Sequence, residues 1–150
     1  QKIIIQYTQD HENLNLIVED NGKGFDPSNY GNIGLNAVDL SWTNNGLNPY
    51  GATGERSVAL GSYTLASNVA STAMGMYSTA SGGGSTAIGF GSTASNYRAT
   101  AIGHYNVASG RNATAIGDYT TASGNNTTAL GTYTTAPSFG ETVISIIIDT

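Results

Sequence analysis

Between Ser57 and Thr135 the apolar positions return on a fixed beat of fourteen residues, too long for the stripe of a single helix face and too regular for a folded loop. Each beat carries an alanine (Ala59, Ala73, Ala87, Ala101, Ala115, Ala129), then an aliphatic residue (Leu60, Met74, Ile88, Ile102, Ile116, Leu130), then a glycine (Gly61, Gly75, Gly89, Gly103, Gly117, Gly131). A second alanine follows five residues after the glycine, at Ala66, Ala80, Ala94, Ala108, Ala122 and Ala136. The idealised unit reads STAIGxYTTASGxx. Its Gly, Ser, Thr and Asn content opposes helix through backbone entropy and local side-chain bonding. Two short strands per unit, separated by turns, fit instead.

Alternation sorts the side chains of those strands. In the first strand, Ser85, Ala87 and Gly89 share one face and Thr86 and Ile88 the other. In the second, read as Tyr119 to Gly124, Thr120, Ala122 and Gly124 face away from Tyr119 and Thr121. One face is small in both strands. Two small faces turned toward each other describe a flattened all-β solenoid of parallel, stacked turns with an interior of Ala59, Ala73, Ala87, Ala101, Ala115 and Ala129 against Ala66, Ala80, Ala94, Ala108 and Ala122.

The same alternation turns Leu60, Met74, Ile88, Ile102, Ile116 and Leu130 outward as a continuous apolar stripe. A monomer does not leave such a stripe in water, so the sequence predicts a closed symmetric oligomer with this file as its interface. A file of Tyr63, Tyr77, Tyr105, Tyr119 and Tyr133, interrupted at Gly91, is expected outside the interior as stacked rings. Thr79, Thr93, Thr121 and Thr135, with Leu65 and Val107 among them, form a further file that raises an ice-binding reading. Variation is confined to the turns. The tyrosines, His104 and Arg111 are therefore the candidate recognition surface. His104 and Asp118 stand one repeat apart and are expected to form a rim ion pair, since no nucleophile accompanies them. No catalytic, cofactor or metal site is read from the chain, and the reading is non-enzymatic.

Composition narrows the partners. The net charge of −5 comes mainly from the first forty residues, and the chain holds no cysteine. With no basic stripe, nucleic-acid binding is disfavoured. The longest apolar runs, Ile3 to Ile5 and Ile146 to Ile148, are too short to span a bilayer. The chain opens on Gln1 without a secretory signal and is read as a segment of a longer protein.

The flanks divide into 1–36, a hairpin and Gly-rich segment; 37–56, a cap and lead-in; and 138–150, a carboxy-terminal strand, around the repeats at 57–137. Lys2 to Thr8 and Leu14 to Glu19 are predicted strands about a turn at Gln9 to Asn13. The stretches Asp20 to Pro27 and Gly31 to Leu35 resemble the glycine boxes of the ATP-binding domain of sensor histidine kinases. That resemblance implies an adenine contact at Asp20 and backbone freedom at Gly22, Gly24, Gly31 and Gly34. Such a site requires an upstream helix, a long lid and a sheet with helices behind it, whereas the likeness spans about the first thirty-five residues and then stops, so a hairpin with a Gly-rich exit turn is the reading preferred. Ala37, Val38, Leu40 and Trp42 are expected to cover the first turn of the coil. Pro137 is expected to end it, and Thr142 to Ile148 to pair with the last turn or with the amino-terminal strands.

The repeated SVALG, STAMG, STAIG, ATAIG and TTALG, alternating with YTLAS, YSTAS, YNVAS and YTTAS, resemble the head domain of trimeric autotransporter adhesins over Ser57 to Pro137. The resemblance implies a left-handed parallel β-roll, a homotrimer, display on the bacterial surface with outer-membrane attachment in the full-length protein, and binding to extracellular matrix or cells. Similar repeats occur in tail fibres of bacterial viruses, which is the alternative function. Ice or nucleotide binding is the third.

Overall fold

A computed structural model describes residues 5–10, 13–18, 33–43 and 50–145 of the chain. Ile5–Asp10 (β1) and Asn13–Val18 (β2) pair antiparallel with Asp10 opposite Asn13, so Gln9, Asp10 and Asn13, expected in the turn, belong to the ladder. Of the kinase-like positions, Asp20, Gly22, Gly24 and Gly31 lie outside the described residues.

From Gly34 onward the described chain is a β-solenoid of parallel turns, fourteen residues each after the first. Each turn contributes one long and one short strand. The long strands are Val38–Trp42 (β3), Val58–Ser62 (β5), Thr72–Met76 (β7), Thr86–Phe90 (β9), Thr100–His104 (β11), Thr114–Asp118 (β13), Thr128–Thr132 (β15) and Thr142–Ile144 (β17), and they form an eight-stranded sheet. The short ones, Gly51–Ala52 (β4), Leu65–Ala66 (β6), Thr79–Ala80 (β8), Val107–Ala108 (β12) and their equivalents Thr93–Ala94 (β10), Thr121–Ala122 (β14) and Thr135–Ala136 (β16), form a seven-stranded one. Register is strict: Ala101 lies beside Ala87 and Ala115, and Ile102 beside Ile88 and Ile116. At about 4.8 Å per rung, the eight long strands extend roughly 34 Å.

Between the sheets lies the alanine interior predicted from the repeat. Ala59, Ala73, Ala87, Ala101, Ala115 and Ala129 meet Ala66, Ala80, Ala94, Ala108, Ala122 and Ala136, all fully buried. The rest of the interior is mostly polar, with Ala52, Ala99 and Ala113 also fully buried. Thr64, Ser78, Ser92, Asn106 and Thr120 form one buried file, and Ser57, Ser71, Ser85 and Thr127 belong to another. Ser78 and Ser92 donate to the carbonyls of Gly89 and Gly103 on the next rung at 3.0 and 3.1 Å, and Asn106 and Thr120 to those of Gly117 and Gly131 at 2.7 Å. Ser57 and Thr127 close their own turns onto Gly54 and Gly124 at 2.7 Å. A coil this thin has few apolar atoms to bury, and this buried hydrogen-bond ladder holds rung to rung where an ordinary core would use large side chains.

Each rung turns twice through the left-handed region. The first turn is made by Tyr63, Tyr77, Tyr105, Tyr119 and Tyr133, with φ between 49° and 56°, and by Gly91. The tyrosines are turn residues, therefore, and the second strand begins after them. The conformation disfavours a side chain by about 1–2 kcal/mol, but it aims each amide at the previous rung: Tyr119 N–H donates to the His104 carbonyl at 2.8 Å and Gly91 N–H to Met76 at 2.9 Å. The second turn repeats the device at Arg56, Ala70, Gly84, Arg98, Asn112 and Asn126, where Arg98 N–H reaches the Gly83 carbonyl at 2.9 Å.

Both ends run further than the repeat suggests. The stretch expected to cover the coil is itself a rung: Val38, Leu40 and Ser41 pair with Val58, Leu60 and Gly61. Gly34, read through the kinase resemblance as a nucleotide-box glycine, belongs to the turn before β3, where a Cβ would sit 2.0 Å from the Gly54 carbonyl oxygen. Gly34 and Gly54 are twenty residues apart against fourteen elsewhere, and the extra residues correspond to 44–49, outside the described residues. At the other end Pro137 does not stop the coil. The equivalent Ser109 and Ser123 amides donate forward to Ala122 and Ala136, but Pro137 follows β16, the last short strand among the described residues, and its missing donor does not prevent β17 from forming. β17 then pairs with β15, setting Ile144 beside Leu130.

Candidate functional site

The outer face of the eight-stranded sheet carries three files of side chains, spaced two residues apart along each strand. The central one holds Leu40, Leu60, Met74, Ile88, Ile102, Ile116, Leu130 and Ile144 in unbroken register. The six residues proposed from sequence as an interface all fall in it, half-buried by their neighbours on adjacent rungs. Leu40 and Ile144, which extend the file at its ends, are 70% and 58% exposed. Beside it runs a file the sequence reading missed: Thr72, Thr86, Thr100, Thr114, Thr128 and Thr142, six threonines in succession. Its signal was present in every S/A/T-T-A triplet, one residue before the interior alanine.

The third file, Met76, Phe90, His104, Asp118 and Thr132, leads into the tyrosine turn. There the tyrosines and their neighbours make a continuous aromatic ribbon. Tyr63 and Tyr77 stack with centroids 5.0 Å apart, Tyr105 and Tyr119 at 5.2 Å, and Tyr119 and Tyr133 at 5.4 Å. Gly91 does not break it, because Phe90 bridges Tyr77 at 5.8 Å and Tyr105 at 5.3 Å edge to face. A Cβ at Gly91 would lie 2.7 Å from the Tyr105 ring. Trp42 and Tyr50 extend the ribbon against Tyr63. Since the stacked rings cover one another's faces, the ribbon offers solvent mainly edges and hydroxyls. It stiffens the rod.

His104 Nδ1 meets Asp118 Oδ1 at 2.5 Å, both half-exposed, and the His104 ring packs edge to face on Tyr105 and Tyr119. The pair predicted across one repeat is thus part of the ribbon. Arg111, grouped with these residues in the sequence reading, is not. It lies on the opposite turn, with its guanidinium 5.4 Å from the Tyr97 ring centroid. Among the described residues, no three acidic or histidine side chains converge as a metal site.

What this arrangement can do chemically is present flat, rigid faces: one aliphatic and threonine-rich, one aromatic-edged, one at the arginine turn. The comparisons agree with that architecture. The YadA head domain repeat, defined as two copies, matches residues 52–78, 80–106 and 108–134, just over half of the chain. No curated protein matches it. Each matched stretch spans two turns of the coil, and the glycine, alanine and aliphatic positions that define those turns are the ones the packing requires; the chain belongs to the YadA head domain repeat family.

Proposed function

We propose that this chain is the head of a cell-surface adhesin, a stiff rod in which three left-handed coils stand side by side with the Leu60 to Leu130 file at their common axis. The full-length protein holds it at the outer membrane, and the exposed turns contact matrix proteins or cells. The hand of the coil and the count of three rest on the resemblance of the repeats to the heads of trimeric autotransporter adhesins. The observation that carries the reading is the unbroken aliphatic file on a flat sheet, backed from β5 to β15 by an interior file of alanine alone. Each large aliphatic moved fully out of water contributes about 1.5–3 kcal/mol. A single coil leaves part of that gain unrealised at every rung. Light scattering on the folded protein at micromolar concentration should give the mass of three chains, and immobilised protein should capture matrix proteins or cells. A single-chain mass for the folded protein overturns the packing.

A second reading, ice binding, is favoured by the six-threonine file, whose members recur at the rung spacing on a flat face. It requires that face to be open to solvent, so it excludes the trimer. Thermal hysteresis from a single-chain species would select it.

A further inference from the structure

We propose that Tyr97, Arg98 and Arg111 form a binding site for an acidic saccharide, one that carries carboxylate or sulfate groups on its rings. The repeats from Ser57 to Pro137 contain three ionic side chains, Arg98, Arg111 and Asp118. Both cations pack on one ring. Arg98 and Arg111 place their guanidinium carbons 5.0 and 5.4 Å from the centroid of the Tyr97 ring. Stacking on the ring fixes the planar groups while leaving their N–H edges free for an oxyanion, the geometry in which arginine binds carboxylate or sulfate with two parallel bonds.

Among the described residues neither arginine forms an ion pair. Asp118 is bonded to His104 at the far end of β13, about 17 Å along the strand and beyond the screening length at physiological salt. Arg56, in the same turn position three rungs before Arg98, shows the alternative state: it is held by Glu55 at 2.7 Å.

The turn is also shaped for a ring. On the rung before Tyr97 the equivalent positions are Gly83 and Gly84, so the row of side chains along this edge drops by one step. The Tyr97 ring borders the step, 3.4 Å from where a Cβ of Gly83 would lie, and Val69 stands on its other side. Below, Arg111 N–H donates to Asn125 Oδ1 at 2.8 Å and Asn112 to Asn126 at 2.9 Å, which fixes the turn. Two cations and one aromatic ring on a chain of net charge −5 suit a polymer with separated charges and apolar ring faces. A dense phosphate backbone needs a longer basic stripe.

The site gives the proposed head a ligand class and rests on that reading only for its valency, since three chains would present three sites to one polymer. Calorimetry with a heparin hexasaccharide should show binding that weakens as salt rises, with maltohexaose inert. Arg98→Gln with Arg111→Gln should weaken it at least about tenfold, the scale of one or two lost charge-assisted bonds. Arg56→Gln should leave it unchanged. Replacing both arginines with lysine keeps the charge but removes the planar fork, and should restore only part of the affinity. Absent binding by the intact protein, undiminished binding by the Gln variant, full binding by the Lys variant, or equal affinity for short single-stranded DNA each overturns the site. The mass of each sample, measured alongside, separates the two ideas: a trimer that ignores the saccharide sinks the site alone, and a single chain that binds it sinks the packing alone.

Discussion

The α-carbon of Gly103 faces the carbonyl of Gly117 on the next rung so closely that a Cβ on Gly103 would sit 2.1 Å from that oxygen. Its φ of +124° lies where only glycine is at ease. Two independent constraints thus fix the residue around which the repeat is written. The obstacle is backbone, held in register on both sides, and it cannot swing away. Gly103→Ala should prevent normal stacking of β11 on β13 and cost more than about 4 kcal/mol, the range reserved for strain and overpacking combined. Thermal unfolding followed by circular dichroism would test it, and a melting temperature within a few degrees of the parent would contradict the geometry.

Where left-handed backbone carries a side chain without a steric obstacle, the sign reverses. Ala70 is exposed with φ of 54°, and Gly84 holds the same conformation one rung later. Ala70→Gly removes a conformational penalty of about 1–2 kcal/mol while giving back roughly half of it through the freer unfolded chain. The melting temperature should rise. Tyr119→Gly relieves the same backbone penalty but deletes a ring stacked on both Tyr105 and Tyr133, and should lower it.

Thr120 and Thr64 occupy the same buried file with different bonding. Thr120 Oγ1 donates to the Gly131 carbonyl at 2.7 Å, whereas the Thr64 hydroxyl is buried with no partner among the described residues. Thr120→Val should cost about 1–3 kcal/mol by stranding a carbonyl. Thr64→Val should be neutral or stabilising. Urea unfolding of the pair measures the contrast directly, and equal losses would show that shape alone sets the file.

The faces of the coil were legible because a fourteen-residue period and a two-residue alternation both survive in the sequence, so Ala101 and Ile102 could be assigned to opposite sides from their neighbours alone. The turns were not. Tyrosine and alanine are poor indicators of left-handed backbone, and only the rung-to-rung amide bonds explain why they adopt it. The first rung was hidden by its length. Gly34, Ala37, Val38 and Leu40 repeat the spacing of Gly54, Ser57, Val58 and Leu60, but the six-residue excess between them broke the count. Arg98 and Arg111 differ by thirteen residues rather than fourteen, and their meeting on Tyr97 depends on side-chain reach that no period encodes.

That first rung contains a residue at odds with its place. Asp39 pairs with Ala59, in the interior file, and its Oδ2 is buried without a hydrogen-bond partner among the described residues while Oδ1 accepts from Ser41 N–H at 2.9 Å. Asp39→Ala restores the pattern of the six rungs from β5 to β15 and should stabilise the fold by about 1 kcal/mol. A lower melting temperature would mean that the carboxylate is held by a group beyond the described residues.

Ile102 is the position at which the proposed packing can be broken with least damage to the coil. Its side chain points away from the alanine interior, flanked by Ile88 and Ile116, and an aspartate there meets no backbone obstacle within its own chain. In a lone coil Ile102→Asp should shift stability by well under the cost of a core substitution. At the axis of a trimer it buries three like charges without counterions, at several kcal/mol each. The mass by light scattering should fall from three chains to one, with the strand signal retained at low temperature. Thr121→Asp, on the outer face of the other sheet beside Val107 and Thr135, should leave the mass unchanged. If Ile102→Asp also keeps its mass, the coils meet through a different face and the aliphatic file is a property of the single rod.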